Sequence, residues 1–396
     1  MALFAAAYGE PPRAAASAPG RVNLLGEHTH DSGGPVLPIA TRERTLVAVG
    51  PGEEGVLEVV GGGTGDGRRV QLRLNDEGRP EGSLAYLAGV LRELAALGAG
   101  PPRWGARVAI ASDLEAGVGL ASSAALAVAA TRAFAALGGG GGGGRGGSGQ
   151  LTARQVGGVA FRAEHHHAGV SCGVMDHEIA ALARPDHALL VECASTDVRQ
   201  VPLLAGLLLV DPGVRRERKA AEALLEQRRA ECAAALTRLR VELPELYWLA
   251  SWPAQWVARL KRALPEPLRS RALHVIGEAA RTRFGAELLR RGRLTRFGEL
   301  MYESHESSRR LFEWSAPELD TVVAAARRAG APGARLTGIA ASGAVLVLLD
   351  KGDWGEGIGA TKIDAAIRRA FVRTYRREPA IKVVRPGGGV RLEAVR

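Results

Sequence analysis

The sequence predicts an α+β protein organised as two domains, and three observations carry that expectation. A chain of 396 residues with 46% apolar content can bury a large core and is long for a single domain. Residues 104–137 pass from an apolar strand through a glycine turn into an alanine-rich helix, downstream of alternating strands at 56–60 and 70–74. Residues 344–349, 362–375 and 381–384 then read as strand, helix and strand after a long helical block, the pattern of an α+β layer.

Taken in order, residues 18–40 (APGRVNLLGEHTHDSGGPVLPIA) read as strand, loop and strand. The loop gathers Glu27, His28, His30 and Asp31, which can hydrogen-bond a polyhydroxylated ligand from several sides; a solvated surface loop offers the same residues. In the predicted helix 83–97, Leu84, Leu87, Val90, Leu91 and Leu94 share one face and belong to the core. The turn 117–123 (GVGLASS) sits where a strand becomes a helix. Unpaired N–H groups and the positive end of a helix dipole suit an anion there, although an ordinary turn capped by Ser122 would look alike. The GxxxxGK[ST] pattern is absent and no lysine lies near, so charge neutralisation must come from the backbone, a metal and residues elsewhere.

Residues 138–149 are almost pure glycine and read as a flexible surface insertion. Residues 152–168 are helical, with Glu164 followed by His165, His166 and His167; neighbours on a helix diverge by about 100 degrees, so these histidines do not easily share a zinc ion. The apolar run Cys172 to Met175 carries Asp176 into a protected position. Residues 220–241 and 272–290 are helical, and Trp248, Trp252 and Trp256 between them read as packing.

Composition excludes several classes. The net charge of +10 is almost all arginine scattered among acidic residues, without aromatics to stack on bases, so nucleic acid is not the expected partner. No stretch approaches a membrane span, and residues 1–7 are too short for a signal-peptide core, so the expectation is a cytoplasmic protein, a monomer or weak homodimer. Cys172, Cys193 and Cys232 form no CxxC pair and read as reduced, chemically incidental thiols.

The run GRVNLLGEHT resembles the signature of the galactokinase family within the GHMP kinase superfamily, and GVGLASSAAL resembles that superfamily's phosphate loop. AEHHHAGVSCGVMDH, HALLVEC, MYESHESSRRLFEWSAPELD, GARLTG and VVRPGGG extend the resemblance over nearly the whole chain. It implies the GHMP kinase two-domain fold, with a ribosomal-protein-like N-terminal domain (1–202), a ferredoxin-like C-terminal domain (203–396) and the active site between them. It further implies transfer of the γ-phosphoryl group of magnesium ATP to the anomeric hydroxyl of galactose. By the same resemblance, Gly117, Val118, Gly119, Leu120, Ala121, Ser122 and Ser123 carry the nucleotide phosphates. Ser123 and Glu164, the latter twelve residues before Asp176, hold magnesium. Asp176 and Arg21 address the reacting hydroxyl, and Glu27, His28, Gly173 and His30 or Asp31 line the sugar site.

The departures fall mostly on sugar contacts. Where the family reads GEHTDYNGG, this chain has His30, Asp31 and Ser32, losing a fixed anionic acceptor that Asp31 could replace from one position later. Leu225 and Glu226 stand where the family has a sugar-contacting tyrosine, although Arg228 and Arg229 persist. Glu115 replaces a proline ahead of the phosphate loop, and GIAASG at 338–343 replaces a glycine-rich motif. Two alternatives follow: a kinase of the same superfamily for another monosaccharide, or a non-catalytic sugar sensor.

Overall fold

The computed structural model describes residues 1–61, 69–75, 80–99, 105–114, 119–138, 151–170, 172–215, 217–338, 343–355 and 357–395. Its strands, in order, are β1 (Ala14–Asn23), β2 (Pro35–Val36), β3 (Pro38–Pro51), β4 (Val56–Gly61), β5 (Val70–Arg73), β6 (Ala106–Ser112), β7 (His187–Glu192), β8 (Asp197–Pro202), β9 (Leu207–Asp211), β10 (Gly333–Thr337), β11 (Ala344–Leu348), β12 (Ala380–Val384) and β13 (Arg391–Leu392). They form a six-stranded sheet in the order β13-β1-β3-β6-β4-β5, a four-stranded sheet β10-β11-β9-β12 and a three-stranded sheet β2-β7-β8. Pairing is antiparallel except between β4 and β6.

The first sheet is one wall of the N-terminal core. Val47, Val49, Val108 and Ile110 face the helices Ser83–Ala96, Ser122–Leu137 and Ala153–Arg162, whose apolar stripes supply Leu87, Val90, Phe134 and Val156. The expected core face of the helix at 83–97 is therefore present, with Leu84 at its partly buried rim. The four-stranded sheet is buried on both faces, which is why LLLV and AVLVL read as unbroken apolar runs. Leu208, Val210, Val345 and Val347 pack towards the C-terminal helices, among them Leu268–Arg290 and Ile358–Tyr375. The alternate residues Leu207, Leu209 and Leu346 pack instead with Leu24, Leu37 and Ile39 of the N-terminal half. That shared cluster fixes the two halves against each other, and the predicted site residues lie beside it.

Several expected elements differ in detail. The second strand of the 18–40 unit divides at Leu37, so β2 joins β7 while β3 joins β1. The helix expected over 152–168 opens with the capping box of Thr152 and Gln155, but its last turn, Ala163–His167, is π-helical. The expected division at residue 202 is crossed by β13, which pairs Leu392 with Ala16 and Arg391 with Ser17. Arg44 donates from Nη1 to the Gly388 carbonyl at 2.8 Å and from Nη2 to the Gly389 carbonyl at 2.7 Å, so this return covers the outer edge of β1. The glycine run from 139 onward and residues 339–342 of GIAASG lie outside the described residues, as do Glu115, Gly117 and Val118. Among the described residues, no helix is long and apolar enough to cross a membrane.

Candidate active site

Arg21 lies just after a register shift in the β1–β3 pairing, with its backbone N–H donating to the Leu120 carbonyl at 2.9 Å. The neighbouring Gly20 is required by this approach: a Cβ there would lie 2.7 Å from the Leu120 carbonyl oxygen and 2.6 Å from Leu114 Cδ2. The guanidinium forks onto Asp176, Nε to Oδ1 at 2.7 Å and Nη2 to Oδ2 at 2.9 Å, while Nη1 donates to the Gly119 carbonyl. Asp176 occupies the first turn of the helix Met175–Leu182, where the helix dipole favours a carboxylate. Burial opposes the charge on Arg21, but Asp176 more than offsets it, so the guanidinium is held above its ordinary range. A forked, charge-assisted pair thus ties an ionisable oxygen to the turn that precedes the helix Ser122–Leu137.

Within that turn Ala121, in the left-handed region at φ 56°, precedes the helix Ser122–Leu137. Ser122 is its first helical residue rather than its cap, and no side chain caps the helix. The Ala121 conformation turns the chain sharply, leaving the first-turn N–H groups uncapped by side chains, which suits an anion. One position on, Ser123 Oγ donates to Glu164 Oε1 at 2.8 Å. The other carboxylate oxygen of Glu164, a buried residue, lies 2.8 Å from His177 Nε2. The π-helical turn brings Glu164 to this point. Ser123 and Glu164 offer a hydroxyl and a carboxylate from two elements, a hard oxygen pair fitted to a magnesium-like cation that also binds phosphates and water.

His165 and His166 are exposed and His167 Nε2 pairs with Glu93 Oε1 at 3.1 Å, so the three consecutive histidines do not converge. Glu164, Cys172 and His177 do: their potential ligand atoms all lie within 4.8 Å of one another. Cys172 is therefore less incidental than its spacing suggested.

The loop bearing Glu27 and His28 is held mainly from the C-terminal half. Arg335, fully buried in β10, lies 2.9 Å from Glu27 Oε2, and His274 Nε2 donates to the Glu27 carbonyl at 3.1 Å. The Gly26 N–H donates to Glu278 Oε1 at 2.9 Å, an oxygen that also accepts from Ser304 Oγ at 2.6 Å. Burial would raise the Glu278 carboxyl, but Arg281, Arg335 and His274 together pull it down to about 2. His28 takes φ 60° and stacks on Phe312 at 4.5 Å between ring centres, with Trp314 edge-on at 4.5 Å. Burial, reinforced by His274, His30 and Arg335, pushes His28 well below its ordinary range, so it is neutral at neutral pH. A neutral ring has one donor and one acceptor.

Gly173 and His30 meet: a Cβ on Gly173 would lie 2.7 Å from His30 Cδ2. Asp31 does not take the place of the missing acceptor freely, because Arg229 Nε donates to its Oδ2 at 2.7 Å. It faces a cavity of ≈ 390 Å³ lined by residues that include His28, Leu225, Glu226, Trp248 and Phe312. Trp248 is thus a wall of this cavity and not only packing. Sequence reading missed Arg335, His274 and Glu278 as braces. One signal was available for Arg335, since a charge flanked by Ala334 and Leu336 in a buried strand requires a partner.

Residues 2–51 match the galactokinase galactose-binding signature, 85–184 the GHMP kinases N-terminal domain and 286–353 the GHMP kinases C-terminal domain. The galactokinase of Roseiflexus sp. (strain RS-1) is 36% identical over 346 residues, 87% of this chain and 85% of its own. The galactokinase of Homo sapiens is 36% identical over 363 residues, covering 88% and 86%, and that of Streptomyces coelicolor 33% over 397, covering 98% and 96%. Among solved structures, Lactococcus lactis galactokinase complexed with galactose superposes with a TM-score of 0.86 at 22% identity, covering 98% of this chain and 97% of its own. A mevalonate kinase superposes with a TM-score of 0.60 at 18% identity, covering 94% and 98%. Identity above a third, sustained over most of both chains, joins the Arg21–Asp176 fork and the phosphate-loop helix in one conclusion: the chain belongs to the galactokinase family of GHMP kinases.

Proposed function

We propose that this protein is a galactokinase that transfers the γ-phosphoryl group of ATP to the anomeric hydroxyl of galactose. The observation that carries the reading is the Arg21–Asp176 fork, whose guanidinium also holds the Gly119 carbonyl and so ties the carboxylate to the phosphate loop. The N–H groups at the start of the helix Ser122–Leu137 receive nucleotide phosphate oxygens. Ser123 and Glu164 would hold magnesium, which neutralises phosphate charge when bound.

Asp176 faces the anomeric hydroxyl, orients a lone pair of its oxygen towards the γ-phosphorus and receives its proton. As the new P–O bond forms, the bond to the β,γ-bridging oxygen breaks and ADP leaves. Arg21 holds the Asp176 carboxylate in position through its fork and places positive charge beside the developing negative oxygens. The rest is positioning, which phosphoryl transfer depends on heavily. Glu27, neutral His28, His30 and the close backbone of Gly173 form the sugar wall. With Arg21, Glu164 and Asp176 all in place, the site is equipped for transfer rather than for sensing alone.

ADP release by the full chain with magnesium ATP and a panel of free sugars tests this. Turnover is expected on galactose and is expected to vanish in Asp176→Ala, with galactose binding retained by calorimetry. Turnover confined to another sugar overturns the substrate, and binding without turnover on any sugar overturns the kinase.

A further inference from the structure

Glu164 is shared between two sets of groups, and the phosphoryl-transfer chemistry uses only one of them. Oε1 faces the Ser123 hydroxyl, whereas Oε2 faces His177 Nε2 at 2.8 Å. The Cys172 thiol completes a trio whose ligand atoms lie within 4.8 Å of one another, a spread that small side-chain shifts would close around a single ion. Glu164 and His177 are buried, with side-chain exposures of 3% and 1%, so both donors are already withdrawn from water. His177 Nδ1 is buried with no hydrogen-bond partner among the described residues, so Glu164 supplies the ring's one polar contact. The trio draws on the π-helical turn, the segment before Asp176 and the helix Met175–Leu182, and not on one flexible loop.

Oxygen, nitrogen and sulfur together make a softer donor set than the oxygens magnesium prefers, and they match the tetrahedral Cys, His and carboxylate sites of zinc. We propose that a thiophilic divalent ion, with zinc as the type, binds across Glu164, Cys172 and His177 and inhibits the enzyme by removing Glu164 from magnesium. Binding forms a sulfur–metal bond and releases the thiol proton to solvent; the ring proton sits on Nδ1 when Nε2 ligates, and no electron is transferred. The fourth metal position is left to water or a phosphate oxygen. Inhibition presupposes the kinase reading; binding of the metal does not.

Cobalt titration of the full chain, without sugar or nucleotide, tests the site directly. The expected result is a thiolate-to-cobalt charge-transfer band that saturates at one equivalent and is displaced by zinc. It disappears in Cys172→Ser and in Cys172→Ala, persists when Cys193 and Cys232 are both changed to Ser, and shows at least about tenfold weaker cobalt binding in His177→Gln. No band in the folded wild type, or a band that survives both Cys172 variants, overturns the site. In the kinetic arm zinc inhibits ADP release, rising magnesium relieves it, and Cys172→Ser keeps its magnesium-supported turnover while needing at least about tenfold more zinc. Equal zinc sensitivity in that variant overturns the inhibitory role. If no sugar is turned over, the kinase reading alone fails and the cobalt spectrum still decides the metal site.

Discussion

The corner around Asp176 and the loop around Glu27 are built by different stretches of the chain. Arg21 bonds to Asp176 and Gly119, and Ser123 and His177 bond to Glu164, all within the first half. The loop proposed to bind sugar, by contrast, is braced by Arg229, His274, Glu278 and Arg335, all from the second half. The groups proposed to react are therefore fixed locally, whereas the proposed sugar wall depends on long-range packing. Perturbing the first should change turnover, and perturbing the second should change stability and sugar affinity.

The largest expected effect is in the first region. Asp176→Asn should lower kcat on the order of 10²–10⁴-fold, the scale of a lost acid–base group, while the melting temperature shifts little because the amide oxygen still accepts from the Arg21 guanidinium. A similar loss of folding stability in that variant would break the distinction between the regions.

Next comes Glu278→Ala, which leaves the partly buried Arg281 without its carboxylate and frees the Gly26 N–H. Denaturant unfolding should show a loss of roughly 3–5 kcal/mol, as for other broken buried ion pairs. Glu278→Gln, which keeps an acceptor for Gly26, should fold better and raise the galactose KM while leaving kcat near wild type. A fall in kcat without a change in KM would make Glu278 part of the chemistry rather than a brace.

Acidification tests the same side through His274. Burial pushes its folded value from 6.5 down to about 4, so between these pH values the unfolded chain binds more protons than the folded one. Stability should therefore be flat above pH 6.5 and fall as pH drops towards 4, by about 3 kcal/mol from this residue. Thermal melts of His274→Gln should show a shallower slope in that window. Glu278 adds a second loss below 4.5, where its carboxylate protonates in the unfolded chain first.

The smallest effect belongs to Asp31→Ala. Its pair with Arg229 is partly exposed at both ends, so loss should raise the galactose KM by no more than about fivefold, ~1 kcal/mol, with kcat unchanged. Steady-state kinetics checks this.

Local pattern made much of the first half legible. Strand alternation gave β4 and β5, and helical periodicity gave the stripe of Leu87, Val90, Leu91 and Leu94. Arg21, Glu164 and Asp176 were placed together by family motifs, not by periodicity. The alternative of a turn capped by Ser122 does not hold: a serine before an apolar run suggests a side-chain cap, whereas the chain enters through left-handed Ala121. The braces were illegible for a different reason. His274 and Glu278 sit in a helix more than 240 residues beyond the loop they hold, and no local signal specifies a contact at that separation.

The return of β13 onto β1 also sets a timetable. During synthesis, Ser17 is made 374 residues before Arg391, its partner across the sheet, an interval of roughly 20 to 75 seconds on the ribosome. Until then the outer edge of β1 lacks its strand, and Arg44 lacks the carbonyls of Gly388 and Gly389. A nascent chain of this protein must shelter that edge from other strands, by chaperone or by speed, before its first sheet can close.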